Sequence, residues 1–348
     1  MKIAIVLGTR PELIKLAPLI KELKNRKADY SIIRTGQHYS NNMWAQFMDE
    51  LEVPFGSIHN LQVNNCSHGK MVGLMLQRLD PILIKDKPSL VIVQGDTDSA
   101  LAVALAAAKL NIPVAHIEAG LRSFDKRMPE EHNRVIIDHI STYLFPPTTT
   151  QVDNLRDEGI KKTEVIGSII VDTIKSISIP KNSIQEKYAF VTLHRQENVD
   201  CPRILRMMME GIFKVAAELK LKIIFPVHPR TKEKLTSIGI DKAWGKMNKI
   251  DFIEPVSYKE SIGYQKHAEV CITDSGGIVE ESCVLGTPSV VVRITTDRPE
   301  AEVCGASITV GEITAINILN ATKEALHFKI KDHPYGQDVS KKILEVLL

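Results

Sequence analysis

The sequence predicts an α/β protein of two doubly wound, Rossmann-like domains facing a central cleft. Three observations carry this expectation. Short β-branched apolar runs alternate with amphipathic helical stretches along all 348 residues, the signal of βαβ units and a parallel sheet. The turns that close these runs are polar and bear Gly, Arg or carboxylates, and open parallel sheets bind ligands beyond the carboxyl ends of their strands. A polar, proline-bearing stretch without periodicity, SISIPKNSIQEK at 176–187, separates two such series and reads as the linker.

In the first series the buried runs predict strands at 2–8, 30–35, 89–94, 113–118, 142–146 and 163–167. The second begins with YAFVTLH (188–194) and LKIIFPVH (221–228), and continues through IDFIEP, AEVCITD, PSVVVRI and SITVG. A first domain over 1–170 and a second over 171–334 follow. The last helix, DVSKKILEVLL, has apolar positions at helical spacing and is free to pack on either domain, a return of residues 335–348 to the first being one of the two arrangements.

Composition narrows the function classes. With 44% hydrophobic and 25% charged residues the chain is an ordinary globular one, and at net charge +2 its Lys and Arg are scattered. No electrostatic footprint for nucleic acid results. The longest apolar run, LAVALAAAKL, is interrupted by Lys109 and falls short of the roughly 18 residues of a membrane span. The opening MKIAIVLGTRPE stops its apolar run at Gly8-Thr9-Arg10, too early for a signal sequence. Five cysteines (Cys66, Cys201, Cys271, Cys283, Cys304) contain no C-x-x-C pair, which suggests a reducing cytoplasm and no structural metal.

The residues just after each apolar run are GTRPE (8–12), TGQH (35–38), QGDTDS (94–99), EAGLRS (118–123), LHRQEN (193–198), VHPR (227–230), TDSGG (273–277) and TTDRPE (295–300). In TDSGGIVEES, Ser275 stands at the N-cap and Gly276-Gly277 let the backbone approach a phosphate, with Glu280 and Glu281 expected in the first helical turn. A capped helix with a tight turn explains the same residues equally well. Neither G-x-G-x-x-G after the first strand nor G-x-x-x-x-G-K-[ST] occurs, which disfavours NAD binding and ATP hydrolysis. Asp96 and Glu118 end strands at the ligand edge, whereas Glu130 and Glu131, read alone, are well placed for a helix dipole ahead of Arg134. His194 and His228 end strands and each has an arginine beside it, Arg195 and Arg230, which favours a role at an anion site. His116 and His139 read as core or near-core residues, and His59, His267 and His327 as surface.

Together GTRPELIKLAP, TGQH, QGDTDSALA, HIEAGLRS, PEEHNR, LHRQEN, TDSGGIVEES and TTDRPEA resemble, in order and spacing, the motifs of the non-hydrolysing UDP-N-acetylglucosamine 2-epimerases over nearly the whole chain. The resemblance implies a glycosyltransferase-B type fold, a homodimer, and interconversion of UDP-GlcNAc and UDP-ManNAc without a redox cofactor, supplying ManNAc-type sugars for surface polysaccharide or glycan synthesis. It implies that Arg10, Lys15, Asp96, Glu118, Glu130, Arg134 and His194 line the sugar and diphosphate region. Ser275, Gly276 and Gly277 would hold phosphate, Glu281 the ribose hydroxyls, and Arg298 part of the nucleotide. Ser261 stands where the family usually has an aromatic near the uracil, so base contacts fall to the backbone around Val256. Many bacterial members bind a second UDP-GlcNAc through Gln-His-x-Gln and a downstream Arg. Here the segment is Gln37-His38-Tyr39-Ser40, and residues 61–70 offer no Arg.

The implied chemistry needs this residue set. A pyranose C2–H has no adjacent carbonyl, so UDP must first leave C1 before the C2 proton becomes acidic. Loss of both gives a 2-acetamidoglucal, and reprotonation from the other face needs acid-base groups on both sides of the ring, which accounts for Asp96, Glu118 and Glu130 together. The departing charge calls for the Gly-Gly helix terminus, arginines and a protonated His194. An epimerase of a modified UDP-HexNAc such as a 2,3-diacetamido uronate, a glycosyltransferase, a hydrolysing epimerase and a non-catalytic nucleotide-sugar sensor are the alternatives.

Overall fold

The computed structural model describes residues 1–37, 44, 48–54, 56–64, 66–161, 163–240 and 249–348. His38, Tyr39 and Ser40 of the departing segment lie outside the described residues. The chain divides into two compact units, Met1–Ser176 with Tyr335–Leu348, and Ile177–Pro334.

In the first unit β1 (Lys2–Leu7), β2 (Asp29–Arg34), β3 (Ser57–Asn60), β4 (Leu90–Gln94), β5 (Val114–Ile117) and β6 (Tyr143–Phe145) form one sheet in the order β3-β2-β1-β4-β5-β6. All neighbours pair in parallel. The central strands β1 and β4 are almost wholly buried, so they read as continuous apolar runs rather than alternating ones. Between β1 and β4 the strand order reverses, and such a switch point opens a crevice at the carboxyl ends of the two strands.

One expected strand is corrected. Residues 163–167 are irregular: the Ile166 N–H donates to Pro146 O at 3.0 Å, and Gly167 at φ +104° turns the chain so closely past Tyr335 O that a Cβ would meet it at 2.5 Å. The sheet's other edge is completed by β3, whose SIHN sequence is mostly exposed and carries no apolar run to announce it. The apolar run 101–110 belongs to the helix Asp98–Lys109, packed against the helices His68–Asp86 and Pro129–Ile140. No helix among the described residues is long and apolar enough to cross a membrane. The helix Arg10–Asn25 packs against Ile170–Lys175 and the C-terminal helix Val339–Leu347.

The second unit repeats the plan. β7 (Tyr188–Thr192), β8 (Lys222–Pro226), β9 (Ile250–Ile253), β10 (Val270–Thr273), β11 (Ser289–Val291) and β12 (Ser307–Thr309) lie in the order β12-β11-β10-β7-β8-β9, all parallel. Counted within the unit this is the same order as in the first, with its switch point between β7 and β10. The helices Pro202–Glu218 and Ala315–Ala325 cover one face, and at Gly211 they approach so closely that a Cβ would stand 2.8 Å from Ile318 Cδ1.

Candidate functional site

In the first unit the switch point gathers the turns after β1 and β4. Thr9 and Glu12 form a capping box at the start of the helix Arg10–Asn25, which satisfies backbone donors that the helix itself leaves open. The buried Glu12 carboxylate accepts from Gly8 N and Thr9 N, both at 2.6 Å, and from Thr97 Oγ1 at 2.6 Å. Burial pushes its pKa up, against these hydrogen bonds. Glu12 therefore ties the turn after β1 to the turn after β4 rather than facing a ligand. Gly8 is needed there, because a Cβ would stand 2.1 Å from Ser99 Oγ. Arg10 is half-buried at the first position of the helix.

Lys15 and Glu118 are both buried and pair at 2.5 Å, and Gln94 at the end of β4 donates to the second Glu118 oxygen. Glu118 has φ +68°, a left-handed conformation that costs a non-glycine residue about 1–3 kcal/mol and persists where surrounding contacts over-determine it. Those contacts include the ring of His116 behind the same turn, fully buried with Nδ1 at 2.7 Å from Asp138 and Nε2 at 2.9 Å from Gly95 O. Asp138 also accepts from Arg122 at 2.7 Å and from Gly120 N at 3.1 Å. Its burial raises its pKa, but its electrostatic and hydrogen-bond interactions with His116 and Arg122 outweigh that and hold it below the ordinary carboxylate value. His139, expected near the core, is exposed, since its ring lies on the outward side of Pro129–Ile140, where Nδ1 bonds to Val135 O at 2.9 Å and lies 3.7 Å from Glu158.

Arg134 pairs with Asp96, whose side chain is 27% exposed. Asn133 holds the same turn by donating to Asp96 O at 2.9 Å and Asp98 Oδ1 at 3.1 Å. The adjacent glutamates divide sharply. Glu131 is buried and accepts from Ser123 N, Ser123 Oγ and Phe124 N, each at 2.9 Å, besides lying 3.2 Å from Arg134. Glu130 is half-buried, and no hydrogen bond or ion pair involves its side chain among the described residues. Glu131 is thus a loop anchor, while Glu130 retains a carboxylate able to exchange a proton.

In the second unit the helix Gly276–Leu285 starts directly after β10. Ser275 occupies its N-cap position without a side-chain cap bond, its own N–H donating to Thr273 Oγ1 at 2.9 Å. The first helical N–H groups are therefore open to water or to a ligand. A Cβ at Gly276 would meet Asp297 Oδ1 at 2.8 Å, but at Gly277 only Ser275 Oγ at 3.7 Å. Packing accounts for the first glycine, not for the second.

The expectation that Glu280 and Glu281 lie in the first turn is corrected: the helix begins at Gly276, which places both in its second turn, and both are buried. Glu280 is the counter-ion of Arg298, at 3.3 Å. Arg298 is itself 5% exposed, with Glu300 at 3.9 Å, so its charge is spent largely on these carboxylates rather than presented to solvent. Glu281 accepts from Gln265 Nε2 at 2.7 Å, and Gln265 also reaches Ser261 Oγ at 3.3 Å. Ser261 and Val256 are half-buried, respectively in the helix Tyr258–His267 and just before it.

His194, just after β7, is about half exposed at 53%. Desolvation by the loops around it lowers its pKa from the ordinary imidazole value, with Arg195 and His228 adding to the effect and Asp274 opposing it. The ring is accordingly neutral near pH 7, and the protonated state expected from the chemistry requires an added negative charge beside it.

The roles of several of these residues escaped the sequence reading. Glu12 had a usable signal, since Thr9-x-x-Glu12 is a capping-box spacing. Gln94, Glu131, Gln265 and Asp274 had none, because their partners are set by tertiary packing. Among the described residues no group of three or more His, Cys, Asp or Glu is placed to hold a metal ion.

A family model described as UDP-N-acetylglucosamine 2-epimerase matches residues 21–348. A Methanocaldococcus jannaschii protein named UDP-N-acetylglucosamine 2-epimerase is 43% identical, the match covering 100% of this chain and 99% of that one. A solved structure of Methanocaldococcus jannaschii UDP-GlcNAc 2-epimerase in complex with UDP-GlcNAc and UDP aligns with a TM-score of 0.92 at 43% identity, over 100% of this chain and 99% of its own. A Pseudomonas aeruginosa protein named UDP-2,3-diacetamido-2,3-dideoxy-D-glucuronate 2-epimerase is 35% identical over 100% of this chain and 99% of that protein. With twin parallel sheets whose switch points carry these acid-base and glycine turns, and with full-length matches of this strength, the chain belongs to the UDP-N-acetylglucosamine 2-epimerase family.

Proposed function

We propose that this protein interconverts UDP-GlcNAc and UDP-ManNAc by elimination and re-addition of UDP. The observation that carries the reading is the division of labour among acidic groups in the first unit. Glu118 is locked by Lys15 and Gln94, Asp96 is paired with Arg134 yet partly exposed, and Glu130 is without a partner among the described residues. Binding alone has no use for three such carboxylates at one sheet edge, whereas proton removal and return at C2 on opposite faces does.

In the proposed reaction the C1–O bond breaks with its electron pair going to the UDP oxygen, and the C2 proton passes to a carboxylate of this set. The products held in the site are 2-acetamidoglucal and UDP. Return of a proton to the other face of C2 and of the UDP oxygen to C1 completes the epimerisation, with no net change in oxidation state and hence no need of a redox cofactor. Arg10, the Ser275 hydroxyl and the N–H groups of Gly276 and Gly277 would stabilise the diphosphate as it departs, together with His194 once protonated. Glu281, oriented by Gln265, would accept from the ribose hydroxyls, with the uracil near Val256 and Ser261. Arg298 would act on the nucleotide indirectly, by holding Glu280 and so the helix that presents the glycines. A homodimer in the cytoplasm supplying ManNAc-type sugars to a surface polysaccharide or glycan is the setting this reading implies.

The 43% identity to the UDP-GlcNAc enzyme against 35% to the diacetamido uronate enzyme favours the former substrate. Incubation with UDP-GlcNAc in D2O followed by NMR tests the proposal. Deuterium at C2 in both epimers is expected. Absence of C2 exchange would refute elimination, turnover of the uronate alone would refute the substrate, and free sugar as main product would point to hydrolysis.

A further inference from the structure

Asp274 lies between the proposed phosphate turn and β10, and the reaction described above gives it no role. Its carboxylate is completely buried. It accepts from His194 N at 3.1 Å and from Arg195 N at 3.0 Å, and from Asn198 Nδ2 at 3.2 Å. Asn198 in turn donates to Val292 O at 3.3 Å, beyond β11. One carboxylate thus ties together the turns that follow three neighbouring strands, β7, β10 and β11.

A neutral acceptor could have served those backbone donors. A buried carboxylate is a costlier choice, and it persists where its charge meets a complementary group. Such a group is the His194 ring once it is protonated, its Nδ1 lying 3.4 Å from Asp274 Oδ1. The separation exceeds a good N–H···O hydrogen bond of about 2.7–3.2 Å but is within ion-pair range. The other charges facing the ring are Arg195 on the same turn, Glu197 in the short helix Gln196–Val199, and His228 after β8. Arg195 and His228 oppose protonation, Glu197 favours it weakly, and Asp274 is the strongest influence in its favour.

We infer that Asp274 is the positioning residue for His194: it keeps the proton of the neutral ring on Nδ1, leaves Nε2 for the incoming diphosphate, and steadies the imidazolium that forms when UDP departs. The diphosphate's part in this rests on the epimerase reading above, whereas the pairing of Asp274 with His194 does not. Such pairing fixes the tautomer of an imidazole and lets the other nitrogen act.

The test uses the full chain labelled with 15N-histidine, with His194→Gln identifying the resonance. In the unsubstituted protein neutral His194 is expected as the Nδ1–H tautomer, with its pKa rising on addition of UDP or of inorganic pyrophosphate. In Asp274→Asn, which retains an oxygen for the backbone donors, the His194 pKa is expected to fall by about one unit, and kcat near pH 7.5 by about tenfold with little change in KM. In a His194→Gln background, Asp274→Asn is expected to cost no further kcat. An Nε2–H tautomer in the unsubstituted protein overturns the proposal, and that measurement needs no variant to fold. An unchanged His194 titration in Asp274→Asn overturns it too, as does an equal kcat loss with and without His194. Since the titrations require no turnover, an inactive protein would count against the epimerase reading while leaving Asp274 and His194 to be judged on their own.

Discussion

Substituting alanine at the two adjacent glycines of the helix Gly276–Leu285 should produce opposite phenotypes. At Gly276 the added Cβ would stand 2.8 Å from Asp297 Oδ1 and 3.5 Å from its Cγ. Asp297 has little freedom to retreat, because Arg293 holds it at 3.1 Å and Arg195 lies 3.7 Å away. Overpacking of this kind costs about 1–3 kcal/mol, which for a unit of this size lowers Tm by roughly 2–4 °C per kcal/mol. At Gly277 the new Cβ finds its nearest neighbour, Ser275 Oγ, at an ordinary 3.7 Å. Without ligand, Gly277→Ala is therefore neutral or stabilising by up to about 1 kcal/mol, since Gly is the poorer helix former. With ligand the sign changes. A helical Cβ tilts toward the N-terminus, which is where the phosphate would sit. Loss of one hydrogen bond to a charged group is worth about 1.5–3 kcal/mol, or roughly tenfold to a hundredfold in UDP affinity. Scanning calorimetry gives the stabilities and titration calorimetry with UDP the affinities. Unchanged UDP binding by Gly277→Ala would remove the phosphate from this helix terminus, and an unchanged Tm in Gly276→Ala would refute the close-approach argument.

Glu130→Gln should lower kcat by about 10²- to 10⁴-fold while leaving Tm unchanged, whereas Glu131→Gln, which weakens the charged acceptor of Ser123 and Phe124, should cost about 1–3 kcal/mol in denaturant unfolding; reversed phenotypes would exchange the two roles. Glu280→Gln should destabilise the second unit by about 3 kcal/mol because Arg298 stays buried with its nearer counter-ion gone, and an unchanged urea midpoint would show that Glu300 suffices alone. Asp138 is held below the ordinary carboxylate value in the folded chain, so the fold prefers its ionised form. Its stabilising contribution is complete above the unfolded value of about 3.8 and is lost as pH falls through the lower folded one. The acid limb of the stability curve should therefore flatten in Asp138→Asn, and an identical limb would assign acid unfolding to other groups.

The motif turns were legible because their function is local. GTRPE, QGDTDS and TDSGG each follow a buried strand, and a parallel sheet places every such turn at one edge. The helix start at Gly276 and the strand-end position of His194 could be read the same way. The edge strand β3 could not, because main-chain pairing to β2 suffices for it and leaves no apolar pattern. The division between Glu130 and Glu131 was equally hidden. They are neighbours in sequence and alike in chemistry, yet helical geometry sends one carboxylate into the 123–124 loop and leaves the other without a partner among the described residues.

By itself the sequence determined the twin α/β series, the family motifs and the candidate residue types, since hydrophobic period and turn chemistry are properties of short stretches. Only the tertiary structure decided what each charge is for. Glu280, which local reasoning puts in the first turn of a helix, is the buried partner of Arg298, and Asp274 meets His194 from a position 80 residues away. Burial sets the role of an ionisable group through the partners it must find in place of water, and those partners are brought together by the packing of whole sheets.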